Sequence, residues 1–130
     1  MTRFSKGYKD DVGIDICLDH DVTFAPFETK VIDVGTSLSV YNRVAVMMCA
    51  RSSAAKKGII VNQCPIDPNY EGNIHIIAHN CSNETITFPA GVAFAQMYAF
   101  DVQRIDVDYD VRRSGWRGEN NFGSTDNWEV

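Results

Sequence analysis

Apolar and polar residues alternate along most of this chain with a period of two, the spacing of a half-buried strand. Val22-Thr23-Phe24 and then Glu28 to Val34 read as two strands broken at Pro26, with Gly35 ending the second. Arg43 to Cys49 is a third, Ile59 to Val61 a short fourth, and Ile74 to Ala78 a fifth. In the fifth, Ile74, Ile76 and Ala78 share one face, and His75, Ile77 and His79 share the other. Thr85 to Phe88, a Pro89-Ala90-Gly91 turn and a long apolar strand from Val92 to Phe100 complete the series. The one helical stretch is a turn around Ser53 to Lys57. Many short strands set off by Gly, Pro, Asn and Asp predict an all-β sandwich, barrel or jelly roll.

From Arg112 to Val130 the alternation stops. The segment is polar, yet it carries Trp116, Arg117, Phe122 and Trp128. Such a composition cannot bury enough surface to hold itself in place. It predicts a flexible C-terminal arm over 112–130, ordering on a ligand or a neighbouring subunit, attached to a β-rich core over 1–111.

Length and composition narrow the possibilities. A chain of 130 residues predicts one domain. Its 45% hydrophobic residues supply a core, and Val44 to Ala50, the longest apolar run, is too short to span a bilayer. Met1 to Asp11 has no secretory pattern, so a cytoplasmic protein with no membrane partner is expected. A net charge of −5 argues against nucleic-acid binding through a broad basic face, and still allows a small phosphorylated ligand. Cys17, Cys49, Cys64 and Cys81 form no Cys-x-x-Cys pair, which argues against zinc. Three of them lie in or beside apolar segments and are expected to pack as reduced hydrophobes. His75 and His79 on one strand, with no third ligand in view, read as core-edge histidines.

Three segments offer chemistry. Arg51-Ser52-Ser53 follows a strand and opens the helical turn, a good place for an anion. Taken on its own, a plain helix cap with an exposed arginine accounts for it better. Gly58 to Gly72 has apolar flanks around a polar, Pro-rich centre, like an extended hairpin. Within it Asp67, between Ile66 and Pro68, is placed to orient and deprotonate a water, and Tyr70 to pack on a sugar. The bland account is a turn aspartate and a core tyrosine. Arg117 to Thr125 gathers Arg117, Phe122, Gly123, Ser124 and Thr125, groups that suit phosphate and a base.

Taken in order, these segments resemble the motifs of the trimeric dUTPase family, from about Gly13 to Thr125. They are Val12-Gly13-Ile14-Asp15-Ile16, Arg51-Ser52-Ser53, Ile66-Asp67-Pro68-Asn69-Tyr70-Glu71-Gly72, Gly91-Val92-Ala93-Phe94-Ala95-Gln96, and Arg117-Gly118 through Gly123-Ser124-Thr125. The resemblance implies a distorted jelly-roll, β-clip-like subunit, a homotrimer with sites shared between chains, and dUTP hydrolysed to dUMP and pyrophosphate. It implies that Asp67 activates the water and that Tyr70 packs on deoxyribose and disfavours a 2′-hydroxyl. Arg51, Ser52, Ser53 and Gln96 would contact phosphate, and Ile66 would line the substrate site. Arg117, Gly123, Ser124 and Thr125 would hold the γ-phosphate, with Phe122 over uracil. Mg²⁺ would be held mainly by the triphosphate, with Asp15 near its waters and no direct protein ligand. The setting would be the cytoplasm, or the host's if the chain is viral.

The chain departs from the family pattern at several points. Ala93 stands where an arginine is usual, Cys64-Pro65 where Gly-Val is common, and Asn121 and Asp126 where glycines flank the last motif. Two alternatives compete with this reading. The related dCTP deaminases carry a glutamate in the strand after Ile66-Asp67-Pro68, where this chain has Ile77; zinc-deaminase motifs are absent too. A regulatory nucleotide-binding trimer would explain Ala93 and Asp126, but not the joint presence of Asp67, Tyr70 and Phe122.

Overall fold

The structure is a computed structural model that describes residues 1–40, 42–113, 118 and 119. Its strands are β1 (Arg3–Ser5), β2 (Ile14–Cys17), β3 (Val22–Phe24), β4 (Thr29–Ser37) and β5 (Val44–Ala50). A single turn of helix, α1 (Ser52–Ala55), precedes β6 (Ile59–Val61), β7 (Asn73–Asn80), β8 (Ile86–Phe88) and β9 (Ala95–Asp101). The fold is therefore nearly all-β, as the alternation predicts. Every named strand pairing is antiparallel, in sheets ordered β1-β2-β9-β5, β4-β7-β6 and β3-β8.

One apolar core draws on all three sheets, with Ile16, Met48 and Met97 from the first and Ile32, Ile74, Ile76 and Ile59 from the second. Phe24 and Phe88 join it from the third. Phe24 stands edge-on to both Phe88 and Phe94, at centroid distances of 6.3 and 5.7 Å, an arrangement that aligns ring edges with ring faces. Along β7 the expected faces are found: Ile74, Ile76 and Ala78 are buried, and His75, Ile77 and His79 are only half-buried.

Four details differ from the expectation. Gly35 does not end β4; the strand runs on to Ser37 through a register shift between Asp33 and Ser37. Gly35 sits inside that irregularity with φ 79°, where a glycine is at ease, and its amide donates to Asp33 Oδ1 at 2.8 Å. Val92 to Phe94 lie outside β9, because Val92 N closes the turn onto Pro89 O and Phe94 O accepts from Arg51 N. The helix is Ser52–Ala55 and not Ser53 to Lys57, since Arg51 already provides its first carbonyl. Of the cysteines, Cys17 is buried and Cys49 partly so, while Cys64 and Cys81 are exposed, so fewer pack as hydrophobes than expected.

The period-two pattern continues beyond β9 without forming a strand. Beyond β9, Ile105, Val107, Tyr109 and Val111 alternate with Asp106, Asp108 and Asp110, yet residues 102–113 form no strand. All four apolar residues are exposed. No helix among the described residues is long and apolar enough to cross a membrane.

Asn80, at the end of β7, is 1% exposed and ties three chain segments together. Its amide donates to Ala25 O at 3.1 Å and Glu84 O at 2.7 Å, and its Oδ1 accepts from Ser82 N and Oγ. Asn80→Ala should cost about 1–3 kcal/mol, because it leaves the part-buried Ala25 and Glu84 carbonyls and the Ser82 amide without their partner. Urea unfolding measures this; a loss below about 0.5 kcal/mol would show the network to be dispensable.

Candidate active site

The order β2-β9-β5 decides which polar groups meet. Asp15 lies opposite Gln96, and Gln96 lies opposite Cys49, so the three side chains share one face of the sheet. Their neighbours Ile16, Ala95, Met97 and Met48 point the other way, into the core. Burial pushes the Cys49 thiol up, which keeps it neutral beside Gln96.

Arg51 follows β5 directly. Its amide is fixed on Phe94 O at 3.0 Å, and its guanidinium Nε lies 3.2 Å from Asp15 Oδ1. The arginine is therefore held across the sheet end by an acid from another motif, and is not simply an exposed residue beside a cap. Arg51 O accepts from Ala54 N and Ala55 N, starting α1 without a side-chain cap. The amides of Ser52 and Ser53 precede these first intrahelical bonds, as at any helix start. Ser52 and Ser53 stand exposed there. Gln96 Nε2 donates to Ala50 O at 3.1 Å, which lays its amide beside Arg51.

A second group sits on the loop between β6 and β7. These strands pair in register Ile59↔Asn80, so the loop over 62–72 is the extended hairpin the sequence predicts. Its centre is anchored on β5, where Ile66 N donates to Val46 O at 2.7 Å and Val46 N to Ile66 O at 3.0 Å. Asp67, Pro68, Asn69 and Tyr70 then form a tight turn closed by Tyr70 N on Asp67 O at 3.3 Å. Proline in the second position and Asn69 at φ 66° in the third are the signature of a type II turn. Asp67 and Ile66 are half-buried, consistent with a carboxylate partly screened from water. Tyr70 is buried, and its hydroxyl donates to Asn73 O at 2.8 Å. Gly118 pairs with Tyr70, and Glu71 N donates to Gly118 O at 2.6 Å. The start of the last motif thus touches the Asp67 loop of its own chain.

The structure brings Asp15, Arg51 and Gln96 together, with Ser52 and Ser53 adjoining, and holds Ile66, Asp67 and Tyr70 in a separate turn. Arg117, Phe122, Gly123, Ser124 and Thr125 lie outside the described residues, as do Asn121 and Asp126. Ala93 is buried. His79 is bound between Thr29 Oγ1 and Asn62 Oδ1 at 2.6 and 3.1 Å, and His75 Nε2 lies 3.8 Å from Asp33. Among the described residues, no three His, Cys, Asp or Glu converge as a metal-binding group.

Two contributions were not foreseen. Asn69 Nδ2 reaches Asn42 Oδ1 at 3.4 Å, linking the Asp67 turn to the residues before β5. Gly72 provides space, because a Cβ there would run into the Tyr70 hydroxyl and lie 2.7 Å from its Cζ. Both glycine and asparagine stood within or beside the quoted motifs, but only coordinates show what faces them.

The comparisons point one way. A family model described as dUTPase matches residues 1–126. The Pol polyprotein of caprine arthritis encephalitis virus (strain Cork) is 30% identical over 118 residues, covering 90% of this chain and 11% of the polyprotein. The chain thus spans about a tenth of the length of the polyproteins it matches. The deoxyuridine 5′-triphosphate nucleotidohydrolase of Clostridium novyi (strain NT) is 32% identical over 124 residues, covering 92% of this chain and 87% of that protein. Among solved structures, native EIAV dUTPase superposes with a TM-score of 0.73 at 25% identity, over 85% of this chain and 93% of its own.

Gly72→Ala should destabilise the protein by about 1–3 kcal/mol, the usual cost of forcing a side chain against a buried ring. Tyr70→Phe in that background should recover part of the loss, since the hydroxyl is the nearest atom. Thermal or urea unfolding of the three variants checks this; independent, additive effects would mean that the two residues do not meet.

Proposed function

The chain belongs to the dUTPase family, and on that premise we propose that it hydrolyses dUTP to dUMP and pyrophosphate. The observation that carries this reading is the meeting of Asp15, Arg51 and Gln96, which come from three separate motifs and share one sheet end. Phosphoryl chemistry asks chiefly for positioned charge and donors, and this cluster supplies a cation and an amide.

In this reading Asp67 accepts a proton from a water as the water oxygen attacks the α-phosphorus. The bond from that phosphorus to the α,β-bridging oxygen breaks, and pyrophosphate leaves. Tyr70 faces the deoxyribose, Ile66 lines the base side, and Arg51, Ser52, Ser53 and Gln96 hold phosphates. Arg117, Gly123, Ser124 and Thr125 take the γ-phosphate, and Phe122 covers uracil. Mg²⁺ would be carried on the substrate, and Asp15 would be the residue placed to face its waters. When bound, Mg²⁺ neutralises the triphosphate charge.

The Asp67 turn is anchored part-way along β5, through the bridge of Ile66 to Val46, and the Arg51 cluster lies past the strand's end at Ala50. That separation supports a homotrimer in which each site takes the two groups from different chains. The exposed Ile105, Val107, Tyr109 and Val111 favour the same assembly, as apolar surface that a neighbouring subunit would cover. The arm over 112–130, attached to the core over 1–111, completes the site. A cytoplasmic setting, where nucleotides are made and used, belongs to this reading.

β7 has no acid, and Ile77 pairs with Val31 on the outer face of its sheet, which disfavours the deaminase chemistry. A product assay with Mg²⁺ and either dUTP or dCTP should yield dUMP and pyrophosphate from dUTP alone. Ammonia from dCTP would restore the deaminase, and binding of dUTP without turnover would indicate a regulator.

Asp67→Asn should lower kcat by about 10²–10⁴-fold, the usual contribution of a general base, with dUTP binding retained. Equal turnover would remove Asp67 from the mechanism. Deleting 117–130 should abolish most activity while leaving the unfolding transition of the β core in place. A fully active truncation would overturn the role given to the arm.

A further inference from the structure

Gly13 precedes β2 and is the one residue of its motif with no side chain to offer the site. Its backbone does not explain its presence. Among the described residues the positive-φ glycines are Gly35, Gly58, Gly91 and Gly118, and Gly13 is not one of them. A residue with a side chain could adopt this conformation, and it would lower the entropy that glycine loses on folding.

Space accounts for it. A Cβ on residue 13 would collide with Gln96 Oε1 and lie 2.8 Å from Gln96 Cδ and 3.4 Å from Gln96 Cγ. The carboxamide of Gln96 occupies the volume where that methyl would stand. From there its nitrogen donates to Ala50 O at 3.1 Å. The ladders fix the rest of the residue, with Gln96 held between Asp15 on β2 and Cys49 on β5. Backbone pairing thus sets where the stem of Gln96 begins, while the gap at Gly13 and the Ala50 carbonyl set where its amide ends.

We propose that Gly13 is a positioning residue whose role is to let the Gln96 carboxamide lie against the β2 entry, with its second N–H aimed into the Arg51 cluster. The inference rests on the reading of that cluster as a phosphate site. The obstructing atoms belong to the free end of a long side chain, which can rotate away at little cost to folding. Adding a methyl at residue 13 therefore displaces a functional amide and leaves the fold standing. This differs from Gly72, whose neighbour is a buried ring that cannot turn aside.

Two measurements test the idea. The first is a double-mutant cycle on kcat/KM for dUTP with Gly13→Ala and Gln96→Ala. A hydrogen bond to a charged phosphate is worth on the order of tenfold or more, so each single variant should lose about that much. The pair should be no worse than Gln96→Ala alone, because the methyl then has nothing to displace. Thermal unfolding should show little change for Gly13→Ala. The second needs no substrate: the side-chain amide protons of Gln96, assigned by NMR through their loss in Gln96→Ala, should shift and exchange faster in Gly13→Ala. A Gly13→Ala penalty of equal size with and without Gln96 would overturn the proposal, as would unchanged Gln96 amide signals. A wild-type protein inactive on dUTP would overturn the functional reading instead, and the amide signals would then decide the placement alone.

Discussion

The antiparallel ladder between β5 and β9 pairs Val44 with Asp101 at one end and Ala50 with Ala95 at the other, in continuous register. Because the register holds through Met48↔Met97 and Cys49↔Gln96, sliding β9 by one residue against β5 would turn Met97 to the surface and Gln96 into the core. The same strand carries the chemistry at two points. Val46 accepts the Ile66 bridge that holds the Asp67 turn, and Ala50 delivers Arg51 to Asp15 and its carbonyl to Gln96. Burial of apolar side chains on one face of this ladder thereby fixes polar side chains on the other.

Much of this was legible in the chain. Strand alternation placed β3, β6 and β7 closely, since each is bounded by Gly, Pro, Asn or polar residues and has a clear buried face. It failed where long-range pairing overrides local pattern. Gly35 has the look of a terminator, yet β7 continues to pair beyond it and the strand absorbs the glycine as an irregularity. Val92 to Phe94 have strand-like side chains, yet Phe94 O is taken by Arg51 N, which bends the chain toward α1. Beyond β9, Ile105, Val107, Tyr109 and Val111 alternate with acids, yet no described strand pairs with them and no strand forms.

The candidate site was legible to a different degree. Residues with their own chemistry, such as Asp67, Arg51 and Gln96, could be picked out because their functional groups are visible in the sequence. Their grouping could not, because Asp15, Arg51 and Gln96 are brought together only by the β2-β9-β5 order. The bland readings were partly right at the level of one chain: Tyr70 is a buried tyrosine bonded to Asn73 O, and Arg51 does begin a helix.

Residues that act by leaving room form the least legible class, since a gap has no chemical signature. Gly13 and Gly72 each face a polar atom of a motif side chain, and the two cases separate by what that atom is attached to. Gln96 ends in an amide on a flexible stem, held by its hydrogen bond to Ala50 O, so a methyl at residue 13 trades position for little folding energy. Tyr70 ends in a rigid ring packed in the core, so a methyl at residue 72 must move backbone or ring. Glycines of the same motif class can therefore protect function in one case and stability in the other. The deciding quantity is the stiffness of the neighbour and not the closeness of the contact.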